Sequence, residues 1–118
     1  MIKFYGYDNC DTCRKAKKQL KAWGVDFQDI DITKKPPSKK ALAALLADAA
    51  HALTDLFNRS GQEYRKLDMK TKLPTLSQAQ ALALLAENGR LVKRPIVTDG
   101  ARHTVGFKPE RFAEVWKP

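Results

Sequence analysis

Two cysteines near the start of the chain, Cys10 and Cys13, have the spacing of a thiol pair. The pattern predicts a short alternating strand over residues 2–7 and a strongly basic helix from Asp11 to Ala22. The unpaired amides and the positive macrodipole end of a helix N-terminus stabilise a thiolate, which is the nucleophilic form of cysteine. The pair therefore predicts redox chemistry, with Cys10 as the attacking thiol.

Cys13 is expected to be covered by other residues. Cys13, Ala16, Leu20 and Trp23 fall on one stripe of the predicted helix, the face that turns toward a core. When a mixed disulfide has formed on an accessible thiol, a covered thiol within reach can attack and resolve it. Two alternatives stay open: Cys13 is a small core residue, or Cys10 is an inert structural thiol.

Two other uses of paired cysteines fit this chain poorly. A structural zinc site usually needs four ligands, and the remaining soft candidates, His51 and His103, are far apart in sequence. No metal site is therefore predicted. A permanent disulfide across three positions would close too small a loop to stabilise the fold much.

The composition indicates one compact domain over residues 1–118. With 118 residues and 43% hydrophobic content, the chain can form one core but not two ordinary ones. The chain starts without the apolar run of a signal peptide, and no segment approaches the roughly 18 apolar residues of a membrane span. A cytoplasmic protein without membrane contact is expected, and a monomer is the default.

The charge balance favours anionic partners. The formal net charge is +9, and the sequence pI is about 9.7. Such a chain attracts an oxyanion, glutathione, nucleic acid or an acidic protein surface. Few aromatic residues lie among the basic ones, so direct nucleic-acid binding is not predicted.

The predicted element order is β-α-β, a helical insert over about 36–90, and β-β-α. The first two strands cover residues 2–7 and 25–30, with Gly24 closing the helix between them. Such a strand-helix-strand arrangement is a βαβ unit.

Helices fill the predicted insert. Ser38 can cap the first of them, which enters an alanine-rich, helix-favouring run over 41–52. A short helix is expected at 53–57. Ser77 begins another helix with a capping-box pattern.

A β-hairpin and a helix end the predicted fold. Strands at 95–98 and 103–107 flank the turn signal Asp99–Gly100, and Pro109 opens the last helix. A CxxC motif beside a βαβ unit, with this ending, predicts an α/β, thioredoxin-like fold with a mixed four-stranded sheet. By analogy with such folds, Pro95 is expected to be a cis-proline facing the active cysteine.

Four segments carry a resemblance to a known family. They are the YDNCDTCR sequence at 7–14, the turn at 58–61 followed by Tyr64, the RPIV sequence at 94–97 and the VGF sequence at 105–107. With them the chain resembles the ArsC/Spx family, most closely its short YffB-type members. The resemblance implies a thioredoxin-like fold with a helical insert. It also implies either arsenate reduction with glutathione and glutaredoxin or redox regulation through RNA polymerase.

The resemblance assigns site residues one by one. Arsenate reductases of the family use one cysteine, matched by Cys10, and three arginines, of which Arg94 matches the one before the proline. Another of the three arginines lies near the end of the insert in those enzymes. The closest alignment places Asn58 at that position in this chain, and Arg59 is one position away. Lys108 replaces the third arginine, and lysine lacks the planar fork that binds an oxyanion in a bidentate way.

Spx-type regulators share the CxxC motif and the arginine before the proline. They carry a C-terminal extension, whereas this chain stops at Pro118. They also have a glycine before a Thr-Asp pair, where this chain has Leu53 before Thr54 and Asp55. Binding to RNA polymerase is therefore the second hypothesis, beside arsenate reduction.

The leading hypothesis is a glutathione-dependent thiol-disulfide oxidoreductase without a bound cofactor. Cys10 attacks a small disulfide and Cys13 resolves the product. Arg94 and Lys108 bind an anionic substrate such as glutathione, and glutaredoxin is a further candidate partner. Arg14 either lowers the pKa of Cys10 or is a solvated helix charge.

Overall fold

The computed structural model describes residues 1–47 and 51–118. The chain divides into two compact units, one made of Met1–Asp31 with Arg94–Pro118 and the other of Ile32–Lys93. The second unit contains the predicted insert. Whether the chain behaves as one domain stays a prediction.

Within the described residues, the first unit contains a mixed four-stranded sheet in the order β2-β1-β3-β4. Strand β1 pairs in parallel with β2, and β3 is antiparallel to both β1 and β4. The predicted sheet is thus confirmed. The strands are β1 (Lys3–Gly6), β2 (Gln28–Asp31), β3 (Ile96–Thr98) and β4 (His103–Val105).

The predicted start of β2 at Val25 is wrong. The backbone N–H of Val25 donates to the Leu20 carbonyl at 3.0 Å and so completes the end of the preceding helix. The ladder begins only where the N–H of Gln28 donates to the Ile2 carbonyl at 2.7 Å. The backbone of Val25 therefore belongs to the end of the helix, although the apolar pattern predicted that it would begin the strand.

The other strands are each shorter than predicted because their ends turn into loops. Strand β1 stops at Gly6, since the Tyr7 carbonyl accepts the Cys10 N–H at 3.0 Å in a turn. Strand β4 stops before Gly106, whose N–H donates to the Pro95 carbonyl at 2.9 Å.

Helix α1 (Asp11–Ala22) has the predicted bounds. Gly24, with φ of 71°, supplies the left-handed backbone that ends it. The predicted stripe is confirmed at its buried positions, Cys13, Ala16 and Leu20, which pack in one core cluster. That cluster is completed by Phe4, Val97, Phe112 and Trp116.

The last helix, α6 (Pro109–Trp116), begins at the predicted proline. Its Trp116 indole N–H donates to the buried hydroxyl of Thr104 at 2.9 Å. Since a buried polar group without a partner is costly, this bond allows β4 and α6 to pack together.

The insert unit is helical, as predicted. Its α-helices are α2 (Lys39–Ala47), α3 (Gln62–Lys66), α4 (Met69–Lys72) and α5 (Gln78–Glu87), with 3₁₀ turns at Leu53–Leu56, Leu73–Thr75 and Gly89–Leu91. The alanine-rich run is helical only to Ala47. Residues 48–50 of that run lie outside the described residues, and His51 and Ala52 are not helical.

Two predicted helix caps are confirmed in the insert. The Ser38 hydroxyl accepts the Ala41 N–H at 3.1 Å. Ser77 and Gln80 form a reciprocal capping box, with bonds of 2.9 and 3.1 Å. In the described part of the chain, no helix is long and apolar enough to cross a membrane.

Candidate active site

One edge of the sheet collects several of the predicted site residues. Strand β1 runs toward this edge, and the cysteine loop follows it. Because β3 is antiparallel to β1, its preceding residues Arg94 and Pro95 lie at the same edge. Strand β4 also ends there, three residues before Lys108. Topology therefore joins residues that are about eighty positions apart in sequence.

Cys10 is the N-cap residue of α1, with extended backbone angles of φ −93° and ψ 112°. Its Sγ accepts the backbone N–H of Cys13 at 3.2 Å, and its own N–H donates to the Tyr7 carbonyl. The side chain is half-buried. A thiolate here takes the place of the oxygen that usually satisfies an N-terminal helix amide.

The pKa of the Cys10 thiol is lowered from its ordinary 9.0 to about 6. The hydrogen bond that the Cys13 thiol donates is the largest cause, and burial opposes it. The backbone amides of Cys13 and Thr12 and the positive charge of Arg94 lower the pKa further. At neutral pH the reduced protein therefore holds Cys10 mainly as a thiolate.

Cys13 is only 1% exposed, which confirms that it is covered. Its hydrogen bond to Cys10 and its burial raise the pKa of the Cys13 thiol, while the Tyr7 amide and the Arg94 charge oppose the rise. Both cysteines are free thiols. The pair thus consists of an accessible Cys10 thiolate and a covered, protonated Cys13 thiol.

The positive charge of Arg94 acts on both thiols. Its guanidinium carbon lies 5.4 Å from the centroid of the Tyr7 ring, in a cation–π contact. The Arg94–Pro95 peptide bond is cis, as predicted. Pro95 itself is buried beside the end of β4.

Arg14 has a different set of partners. Its guanidinium donates to the Asp8 carbonyl and to a carboxylate oxygen of Asp11, both at 2.8 Å. Among the causes of the lowered Cys10 pKa, the contributing cation is Arg94, after the hydrogen bonds from Cys13. Whether Arg14 assists in this or is a solvated helix charge stays a prediction. A role of Arg14 in substrate binding stays a prediction.

The remaining predicted binding residues are only partly brought together. Lys108 is exposed at the N-cap of α6, at the edge described above. Asn58 and Arg59 belong to the insert unit, where the Asn58 N–H donates to the Leu91 carbonyl at 2.7 Å and Arg59 is exposed. Their roles in binding stay predictions.

Tyr7 was not among the predicted catalytic residues, although it ends the predicted first strand just before the cysteine loop and could line the site. Only the fold shows that its ring contacts Arg94. Within residues 1–47 and 51–118, no group of three or more His, Cys, Asp or Glu side chains could hold a metal ion.

Comparison with known sequences gives consistent matches over the chain. A family model described as the ArsC family matches residues 5–115. The uncharacterised protein YusI of Bacillus subtilis is 47% identical over 115 residues, which cover 98% of each chain. The global transcriptional regulator Spx of Streptococcus pyogenes is 30% identical over 112 residues, covering 95% of this chain and 82% of the regulator.

Solved structures agree with these matches. A possible arsenate reductase from Streptococcus mutans has a TM-score of 0.85 at 39% identity, with 92% of each chain covered. A protein named YffB has a TM-score of 0.83 at 31% identity, with 98% of this chain and 99% of that chain covered. These likenesses confirm the thioredoxin-like fold and the resemblance to YffB-type members.

Proposed function

Since this chain belongs to the ArsC family, we propose that it is a thiol-disulfide oxidoreductase with Cys10 as nucleophile and Cys13 as resolving thiol. The observation that carries the proposal is the hydrogen-bonded cysteine pair at the start of α1. An accessible thiolate next to a covered thiol suits a two-step exchange, in which the second thiol releases what the first has captured.

In the first step, the Cys10 thiolate attacks one sulfur of a disulfide substrate. A new S–S bond joins Cys10 to that half of the substrate, and the other half leaves as a thiolate that takes a proton from water. In the second step, Cys13 loses its proton and attacks the sulfur of Cys10. The second half leaves as a thiol, so the substrate gains two electrons and the protein keeps a Cys10–Cys13 disulfide.

The cysteine pair also favours this order of steps. While Cys10 is a thiolate, its hydrogen bond with Cys13 is the largest factor that raises the pKa of Cys13. Once Cys10 is part of a mixed disulfide, that anion is gone. Burial still raises the pKa of Cys13, but the Tyr7 amide and the Arg94 charge oppose it. Capture of the substrate therefore removes the largest cause of the raised Cys13 pKa and favours the resolving step.

Glutathione is the proposed co-substrate. Two molecules return the protein disulfide to thiols by the same exchange and leave as oxidised glutathione. Glutathione carries two carboxylates, which suits an edge that offers Arg94 and Lys108. Glutaredoxin is the alternative reductant.

A regulatory function is the second candidate. The specific observation in its favour is the 30% identity to Spx over 95% of this chain. Arsenate reduction is a third activity, supported by the neighbour described as a possible arsenate reductase. Lys108 in place of an arginine would bind an oxyanion less well, because it gives a point charge rather than a planar fork.

The test compares wild type with Cys10→Ser and Cys13→Ser in a glutathione-coupled assay with hydroxyethyl disulfide. Wild type should turn over, and Cys10→Ser should lose activity by at least about a hundredfold. Cys13→Ser should accumulate a mixed disulfide, seen by mass spectrometry as the addition of one substrate half or one glutathione. The same proteins are assayed for arsenate loss.

Absence of turnover with any of these substrates would overturn the enzyme proposal. In that case, thiol-dependent binding to purified RNA polymerase, lost in both serine variants, would establish the regulatory candidate. Trapping on Cys13 rather than Cys10 would reverse the two assigned roles.

A further inference from the structure

Tyr7 is the residue that connects the cysteine pair to its cation. We propose that Tyr7 is a positioning residue, whose ring holds the Arg94 guanidinium beside the thiols. The inference rests on the proposed function, in which Cys10 is the nucleophile. It assigns a role to a side chain that takes no part in the exchange itself.

Three contacts of Tyr7 meet at this point. Its carbonyl accepts the Cys10 N–H at 3.0 Å, and its amide donates to the Cys13 sulfur. Its ring lies 5.4 Å from the guanidinium carbon of Arg94. Since these bonds fix the main chain of Tyr7 to the cysteine loop, the ring extends from a point that is fixed relative to both sulfurs. A cation stacked on that ring is kept near them.

Arg94 needs such support because its side chain is long and rotates about several bonds. Within the described residues it has no carboxylate partner, whereas Arg14 is paired with Asp11. A carboxylate would hold Arg94 but would also cancel its charge at the thiols. An aromatic face restricts the guanidinium and leaves its N–H edges able to donate to an anion.

The test measures the alkylation rate of Cys10 in the intact protein against pH, with iodoacetamide and with iodoacetate. Wild type, Tyr7→Phe, Tyr7→Leu, Arg94→Met and the double variant Tyr7→Leu/Arg94→Met are compared. Iodoacetamide reports the pKa of Cys10. Because iodoacetate is anionic, the ratio of the two rates reports the positive charge close to the sulfur.

Tyr7→Leu should raise the midpoint of Cys10 ionisation by about half a pH unit and lower the iodoacetate-to-iodoacetamide ratio several-fold. Tyr7→Phe keeps the ring and should behave as wild type. In the Arg94→Met background, Tyr7→Leu should add no further change, because Tyr7 acts through Arg94. Trp23→Leu, which removes a ring stacked on Phe112 at the other end of α1, should leave both readouts unchanged.

An equal effect of Tyr7→Leu with and without Arg94 would overturn the inference, as would an unchanged rate ratio in Tyr7→Leu. Thermal unfolding of each variant identifies any that fails to fold. If Tyr7→Leu fails, Tyr7→Met takes its place, because it also removes the ring but keeps an unbranched apolar side chain. Failure of the proposed function looks different, since wild type would then show no turnover with hydroxyethyl disulfide, whatever the midpoint of Cys10 ionisation.

Discussion

Cys13 influences Cys10 through two separate groups, its thiol and its backbone amide. Removing the thiol alone, in Cys13→Ala, should raise the pKa of Cys10 by about one unit, because the largest stabilising hydrogen bond is lost. Cys13→Ser keeps a donor and should fall between Cys13→Ala and wild type. The pH dependence of Cys10 alkylation by iodoacetamide measures all three.

Thr12→Ala is the matched control for this series. Thr12 lowers the pKa of Cys10 only through its backbone amide, which alanine retains. The midpoint of Cys10 ionisation in Thr12→Ala should therefore equal that of wild type. If Cys13→Ala also titrated as wild type, the backbone amides and Arg94 would account for the thiolate without the second thiol.

At the scale of residues, the sequence predicted the features that depend on neighbouring residues. It did not predict the side-chain contacts that depend on the fold. The placement of Cys10 at a helix start and the shielding of Cys13 follow from spacing along one helix. The contact between the Tyr7 ring and Arg94 does not, because the fold brings these two residues together. Arg14 is closer in sequence, but its guanidinium bonds to Asp11, whereas Arg94 reaches the thiols through the fold.

At the scale of elements, the turn between β3 and β4 is held by one carboxylate. Asp99 accepts the amides of Ala101 and Arg102 at 2.9 and 2.7 Å and the Arg102 Nε at 2.9 Å. Chiefly because of the Arg102 amide, the pKa of Asp99 is lowered from 3.8 to about 2. The ionised form therefore stabilises the hairpin above about pH 3.8, and that stabilisation is lost as the pH falls through about 2.

Asp99→Asn keeps an oxygen that can accept both amides but loses the charge. We expect it to lower the free energy of unfolding by about 1 kcal/mol between pH 5 and 7, after allowance for the exposure of Arg102. The difference from wild type should shrink as the pH is lowered toward 2. Urea unfolding at a series of pH values measures it, and a difference independent of pH would mean that the charge has no role.

The elements themselves were predictable to different degrees. Helix α1 has its predicted bounds because Cys10 and Gly24 mark its ends locally. The start of β2 was misplaced because a strand begins where its partner allows, and Gln28 is the first residue to meet Ile2. The position at which a strand pairs with its neighbour depends on a segment that is distant in sequence. The hydrophobic periodicity of the strand itself carries no information about that segment.

At the scale of the whole molecule, the charge is strongly unbalanced, with 22 Lys and Arg against 13 Asp and Glu. Such a surplus produces a positive potential that draws anions toward the protein over distances of the Debye length. That length is about 30 Å at 0.01 M salt and about 10 Å at 0.1 M. Attraction of an anionic substrate should therefore depend on salt even where no single residue binds it.

The last prediction separates this overall field from the local cation. The second-order rate constant of reduced protein with oxidised glutathione should fall several-fold when salt is raised from about 0.01 M to about 0.3 M. The neutral hydroxyethyl disulfide should change little. Arg94→Met should lower the rate constant for the anionic substrate at every salt concentration. Most of the salt dependence should remain, because the other cations remain. Equal salt responses of the two disulfides in wild type would show that the positive surplus takes no part in substrate capture and would leave Arg94 as its electrostatic determinant.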